Sequence, residues 1–275
     1  MLVRRLKKNG WVYVLAVLIC VLHFTPFYVL ITMSLKKMSD LSSRWTMPHY
    51  LYLENFRKAL SGSPLPRAFL CTAIITVLSV FFLILIGGMA AYPLARRRTK
   101  GNSLLRRFVM GMMMVPPLTI LVPLYSTMVS LGGISTYWGI VTMLVTFNLP
   151  LSIYLFSNFI ASIPRALDEA ASIDGCGHVR IFFQILLPQL KPVITSVIIL
   201  TGVGCWNDYT FSLYMLQSPK IKSVTLVIAN YFTQTNIDLN AAAATALIAV
   251  LPMILAFLFL QKYFVQGMVD SAIKE

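Results

Sequence analysis

A chain of 275 residues that is 58% hydrophobic and only 12% charged differs sharply from a soluble domain, where roughly 25% charge is usual. Its mean hydropathy of +0.78 leaves no polar surface for a nucleic-acid groove, so the net charge of +14 does not point to nucleic acid. The basic residues are read instead as orienting a membrane protein in its bilayer.

Charge-free runs of about 20 apolar residues locate the spans. The first covers 11–32. Arg4, Arg5, Lys7 and Lys8 precede it as in a secretory signal, but the run is too long for a signal core and lacks an A-x-A cleavage site, which predicts an uncleaved anchor helix. Within 33–67, the spacing of Leu53, Phe56 and Leu60 predicts a short amphipathic helix. The second span covers 68–95. No charge occurs between Arg107 and Arg165, a stretch too long for one helix, and Leu131-Gly132-Gly133 offers a turn that divides it into spans at 108–130 and 136–160. Pro116-Pro117 and Pro123 are expected to break the third span, and Asn148 with Pro150 the fourth. The fifth, 192–217, carries Asp208 alone, and the sixth covers 239–261.

Backbone groups in lipid must be satisfied within the segment, so the spans are helices; the ten-residue alternation of a barrel does not occur. The expected fold class is an all-α integral membrane protein with six transmembrane helices, forming one domain over 1–275. With both termini inside, fifteen Lys and Arg fall on the cytoplasmic side and eight outside, the dense ARRRTKGNSLLRR stretch at 95–107 serving as a topology anchor. The segment 33–67 then lies outside, and a loop at 162–190 faces the cytoplasm between spans four and five.

That loop reads EAASIDGCGHVRIFFQILLP over 169–188. Pro164 suits a first helical turn, with Ser162 or Ile163 as cap, and Asp168 and Glu169 follow where the helix dipole favours acids. Ala166, Ala170 and Ala171 form helix with little bulk, Gly175 closes it through positive φ, and a second helix runs from His178 to Pro188. The residues alone leave two readings open, a docking knob and an ordinary interhelical loop.

Other candidate chemistry is sparse. No G-x-x-x-x-G-K-[ST] phosphate loop is present. Cys20, Cys71, Cys176 and Cys205 lack C-x-x-C spacing and are read as reduced packing residues, and His23, His49 and His178 lack metal-ligand spacing. His23 is read as a packed, hydrogen-bonded side chain in preference to a pathway group. The fourteen methionines fill irregular packing. Asp208, expected within a span, needs a cavity or a partner, and its neighbours Trp206, Asn207 and Tyr209 offer polar and aromatic edges. A helix clamp and the lining of a sugar pathway both remain open for this group.

E-A-A, three residues, Gly, nine residues, I-x-L-P resembles the signature of permease subunits of binding-protein-dependent ABC importers. Glu169, Ala170, Ala171, Gly175, Ile185, Leu187 and Pro188 match it at every position, with Asp174 beside the glycine. VPPLTILVPLY at 115–125, Ile163-Pro164, Pro192, WNDY at 206–209 and the Gly267 tail ending in Ala-Ile-Lys are similar to the carbohydrate branch, near the smaller permease of maltose-type systems. Cys71-Thr72 departs from the Asn-Ser common in such permeases.

The resemblance implies a non-catalytic permease subunit of an ATP-driven sugar importer in a bacterial inner membrane, with helix 164–175 coupled to a cytoplasmic ATPase by alternating access. It further implies a second permease, two ATPase subunits that bind ATP with Mg, and an extracytoplasmic solute-binding protein; no cofactor, metal or nucleic acid is expected on this chain. A permease for a polyol or phosphorylated glycerol is the alternative. A secondary transporter would require inverted repeats and an intramembrane enzyme paired polar side chains at helical spacing, and neither pattern is present.

Overall fold

The computed structural model describes residues 10–61, 63–97, 99–233 and 236–272. Of the basic residues used for orientation, Arg4, Arg5, Lys7, Lys8, Arg98 and Lys274 lie outside the described residues, as does the end of the C-terminal tail. In chain order the helices are α1 (Gly10–Ser34), α2 (Glu54–Ser61), α3 (Leu65–Arg96), α4 (Lys100–Met112), α5 (Leu121–Ser130), α6 (Tyr137–Ser162) and α7 (Ala166–Ile173). There follow α8 (His178–Gln189), α9 (Lys191–Trp206), α10 (Thr210–Met215), α11 (Val224–Asn230) and α12 (Leu239–Ala272). A 3-10 turn, Pro117–Ile120, leads into α5, and a two-residue hairpin, β1 (Phe232–Thr233) with β2 (Asn236–Ile237), precedes α12. Among the described residues four helices are long and apolar enough to cross a membrane, or up to six if each bent pair counts as one span.

The four continuous candidates, α1, α3, α6 and the Leu239–Phe259 part of α12, coincide with spans expected at 11–32, 68–95, 136–160 and 239–261. The others are less regular. The helix expected over 108–130 is two helices meeting at 93°, because Pro116 is extended and Pro117 opens a new turn without an N–H to continue the old one. The span expected over 192–217 ends as a helix at Trp206, and α9 meets α8 at 77°. The fourth span is not broken: α6 runs through Pro150, and Asn148 Nδ2 donates to Leu144 O at 2.8 Å one turn back.

The chain divides into two compact units. Among the described residues, the smaller holds the chain from Gly10 to Pro66 together with Val227–Leu251. Helix α1 is apolar on all sides and exposes nearly all of them, as a helix solvated by lipid does. Its end is tied into the following loop, where Thr32 Oγ1 donates to Arg44 O at 2.6 Å and Asn55 Nδ2 to Ser34 O and Lys36 O at 2.9 and 2.8 Å. The short helix expected near residues 53–60 is α2, but its buried face is Asn55 and Ala59, while Leu53 and Leu60 are exposed. The loop needs the Asn55 amide to satisfy two carbonyls, and that requirement sets which face turns inward.

The larger unit, Arg67–Leu226 with the chain from Pro252, contains the main apolar core. Leu83, Ile140, Phe156, Ile160, Ile181, Leu186 and Met215 are fully buried there. Close backbone approach shapes one corner: a Cβ on Gly139 would lie 2.0 Å from Gly133 O, so α6 can start only with glycine at that position. The expected turn before α6 uses Gly132 at φ +69°, and Thr136 caps the helix by accepting from Gly139 N at 3.2 Å.

Candidate functional site

The expected helix–turn–helix is present at 166–189. Helix α7 begins at Ala166 with Arg165 as cap residue, later than the expected Ser162 or Ile163, because Ser162 still belongs to α6 and Ile163 is extended. Gly175 takes φ +80° and lets Cys176 N reach Ala171 O at 2.9 Å, the 6→1 bond of a glycine-terminated helix. The chain then re-enters helix at His178, and Ile181–Leu186 is wound as a π segment between α-turns. Such i→i+5 winding is rare and concentrates at functional sites.

The residues of the sequence signature divide between two faces. Glu169, Ala170, Asp174, Gly175 and Pro188 are exposed, while Ile185 and Leu187 are half-buried against the core. Ala171, expected on the outward small-residue face, is only 6% exposed and packs into the core of its own chain. Ile173, by contrast, is 86% exposed, and Leu167 and Val179 elsewhere in the lobe are also exposed. The outward surface of α7 therefore includes Glu169, Ala170 and the apolar Ile173.

A basic helix end holds this lobe. Arg96, the last residue of α3, reaches Asp168 Oδ2 with Nε at 2.7 Å and Oδ1 with Nη2 at 3.4 Å, and it donates from Nη1 to Ile163 O at 2.8 Å. The two side chains are 9% and 15% exposed, which limits screening by salt. The adjacent Arg97 donates from Nη2 to His178 Nε2 at 2.9 Å; a guanidinium has no acceptor, so that imidazole nitrogen is the lone-pair side. Tyr92, Pro93, Arg96, Arg97, Asp168, Glu169, Ser172, Ile173 and His178 enclose a cleft of about 540 Å³. Sequence reasoning missed the Arg96–Asp168 pair, taking the arginine for a topology anchor and the acid for a dipole partner. The signal was present: in so apolar a chain, an acid one turn into a loop helix needs a counter-charge, and 95–107 is the densest source.

The second group resolves into local roles. Asp208 lies after α9 has ended, in the break before α10, and not within a helical span. Its Oδ1 accepts from Phe211 N at 3.2 Å and its Oδ2 from Ser212 N at 2.8 Å, so the carboxylate caps α10. Thr225 Oγ1 donates to the backbone O of Asp208 at 2.7 Å. Asn207 Nδ2 bonds back to Val203 O at 3.0 Å, and Trp206 is buried with its ring 5.8 Å from that of Phe69. Tyr209 is exposed. His23 bonds through Nδ1 to Ile19 O at 2.8 Å in its own helix, and all four cysteines are free. Among the described residues no three His, Cys, Asp or Glu gather as a metal site.

Residues 83–270 match the family described as "Binding-protein-dependent transport system inner membrane component". The chain belongs to that family. This permease is 41% identical over 271 residues to the melibiose/raffinose/stachyose import permease protein MelC of Bacillus subtilis (strain 168), covering 98% of each chain. It is 29% identical to the multiple sugar-binding transport system permease protein MsmG of Streptococcus mutans serotype c, covering 96% of each. Its fold is similar to a chain of a bacterial ABC transporter that imports alginate, with TM-score 0.81 over 95% of this chain and 98% of the other at 19% identity. A chain of the inward-facing MetNI methionine transporter is more distant, with TM-score 0.56 over 74% and 95%. The permease is thus a multi-pass membrane subunit of an ABC importer, a transport component and not a catalytic one.

Proposed function

We propose that this permease forms half of the translocation pathway of an ATP-driven sugar importer in a bacterial inner membrane, and that α7 is its contact with a separate cytoplasmic ATPase subunit. The observation that carries the reading is α7, where an exposed Glu169 and Ala170 sit beside an 86% exposed Ile173 outside every candidate span. An apolar side chain this exposed next to Glu169 and Ala170 on a helix outside the spans suits burial against a partner in the working assembly. Ala170 lets a facing backbone approach, and Glu169 offers a charge that a basic partner residue reads directionally.

The whole chain acts as one transmembrane domain with six spans and both termini inside, the two bent helix pairs counting as spans three and five. The partners are a second permease, two ATPase subunits that bind ATP with Mg, and an extracytoplasmic binding protein. ATP binding draws the ATPase subunits together and carries each α7 with its host, which tips the spans and opens the pathway outward; hydrolysis resets it. Nucleotide acts only through its differential affinity for the two states, and moving a 1:99 population to 99:1 takes about 5.5 kcal/mol. The sugar assignment is supported by relatives named for melibiose, raffinose, stachyose and multiple-sugar transport.

Reconstitution in vesicles with the partner chains tests the reading. Uptake of labelled melibiose or raffinose should require both ATP and the binding protein and should vanish with Glu169→Lys. Uptake driven by an ion gradient without ATP would contradict it.

A further inference from the structure

The C-terminal half of α3 presents Gly88, Tyr92 and Arg96 at i, i+4 and i+8, one stripe of a helix, and all three meet the 163–190 lobe. At Gly88 a Cβ would lie 3.3 Å from Phe182 Cζ, so the glycine lets that ring approach the helix closely. The Tyr92 ring stands 6.0 Å from the Phe182 ring, tilted by 40°. Arg96 closes the stripe with its contacts to Asp168 and Ile163 O. The lobe's two segments are thereby fastened to one helix end, α8 through Phe182 and α7 through Asp168.

We propose that Arg96 is the positioning residue that makes α7 and α3 move as one body, so that displacement of α7 by the ATPase is delivered to a membrane span. This rests on the reading of α7 as the ATPase contact. The geometry favours linkage over mere local packing because one guanidinium spans two attachment points on the lobe, a carboxylate in α7 and a carbonyl just before it. A planar fork fixes direction as well as distance, which an ammonium on a flexible stem does not. Asp168 has its ion pair 72 residues away in sequence, so that contact joins two elements and does not close within α7. The neighbouring Arg97–His178 contact is exposed and ties α8 in a similar but more weakly held way.

The test uses the full importer in vesicles, with Arg96→Gln, Asp168→Asn, the double variant and Arg96→Lys. In Arg96→Gln and Asp168→Asn the ATPase should still co-purify with the permease, because the outward face of α7 is untouched. Hydrolysis stimulated by sugar-loaded binding protein, and uptake with it, should fall about 5- to 150-fold, the range of ordinary allosteric couplings. The double variant should be no worse than either single one, as for two halves of one contact. Arg96→Lys keeps the charge but cannot hold both attachment points, so it should retain ATPase and show intermediate stimulation, with faster amide exchange over residues 163–174. It also answers the question if the glutamine variant fails to accumulate. Unchanged stimulation in Arg96→Lys together with unchanged exchange, or additive losses in the double variant, would overturn the linkage. If Glu169→Lys leaves ATPase capture and uptake intact, the underlying reading of α7 fails instead.

Discussion

Asp168 and Asp208 face the same problem, keeping a carboxylate in a chain that is 58% hydrophobic, and the molecule solves it in two ways. Asp208 is satisfied locally, by the amides of Phe211 and Ser212 at the start of the helix it caps. Asp168 is satisfied at long range, by Arg96 at the end of another helix. A local cap stabilises the element that carries it and carries no information about anything else. A long-range pair joins two elements and can transmit displacement between them. Acids of this protein are therefore best read by where the partner lies in sequence, since spacing to the nearest hydrophobic stretch does not separate the two roles.

The contrast can be broken at four points. The largest effect is expected in the lobe itself. Gly175→Val forces a β-branched residue to φ +80°, where an L-residue pays about 1–2 kcal/mol and a branched one more. Amide exchange across α7 should accelerate by about 5- to 30-fold, with sugar uptake largely lost. Equal exchange in variant and parent would mean that the glycine turn does not hold the helix.

Next, the two alanines of the motif should part company. Ala171→Leu overpacks a buried position at a cost of about 1–3 kcal/mol, so permease abundance or melting temperature should drop. Ala170→Leu is exposed and should leave the permease intact while weakening ATPase co-purification. The reverse pattern would show that α7 turns its other face outward.

Asp208→Ala removes a cap worth about 1 kcal/mol, a few degrees of melting temperature, whereas Asp208→Ser keeps an accepting oxygen and should stay near the parent in both melting and uptake. If serine abolishes uptake at normal stability, the carboxylate touches cargo and is more than a cap.

The smallest effect concerns Asp40, another locally satisfied acid. A hydrogen bond from the Tyr50 hydroxyl, with further ones from Ser42, lowers its pKa to about 2. A depressed folded-state pKa means the contribution is present above the ordinary carboxylate range and is lost as pH falls through about 2. Between pH 7 and 5, exchange protection of the 36–50 loop should hold steady, and it should fall between about pH 4 and 2. Tyr50→Phe should move that loss toward the ordinary carboxylate range; an unshifted profile would remove Tyr50 from the account.

The four continuous candidate helices, the break at Pro116-Pro117 and the glycine-terminated helix at 166–175 were legible because each depends on local pattern: charge-free length, a proline pair, a glycine where φ is positive. What escaped depends on distance or on competition. Pro150 reads as a break, yet α6 continues through it, since neighbouring packing outweighs one missing N–H. Asp208 reads as mid-span because composition cannot say that a helix stops at Trp206; the Asp-x-Thr-Phe-Ser run that follows carried the cap signal. Ala171 reads as outward because the signature gives positions without faces, and only the fold shows it buried. Arg96 with Asp168 was beyond reach of periodicity, the two being joined only once α3 and α7 are placed.

The central claim is that the outer face of α7 meets the ATPase. Replacing Ile173, 86% exposed on the same helix, with a photo-crosslinking benzoylphenylalanine in the assembled importer, with the same probe at exposed Leu51 as control, reads this contact directly. Irradiation should join the residue-173 probe to the ATPase subunit, while the residue-51 probe gives no such adduct. An ATPase adduct at 51 and none at 173 would contradict both the contact and the orientation of the chain.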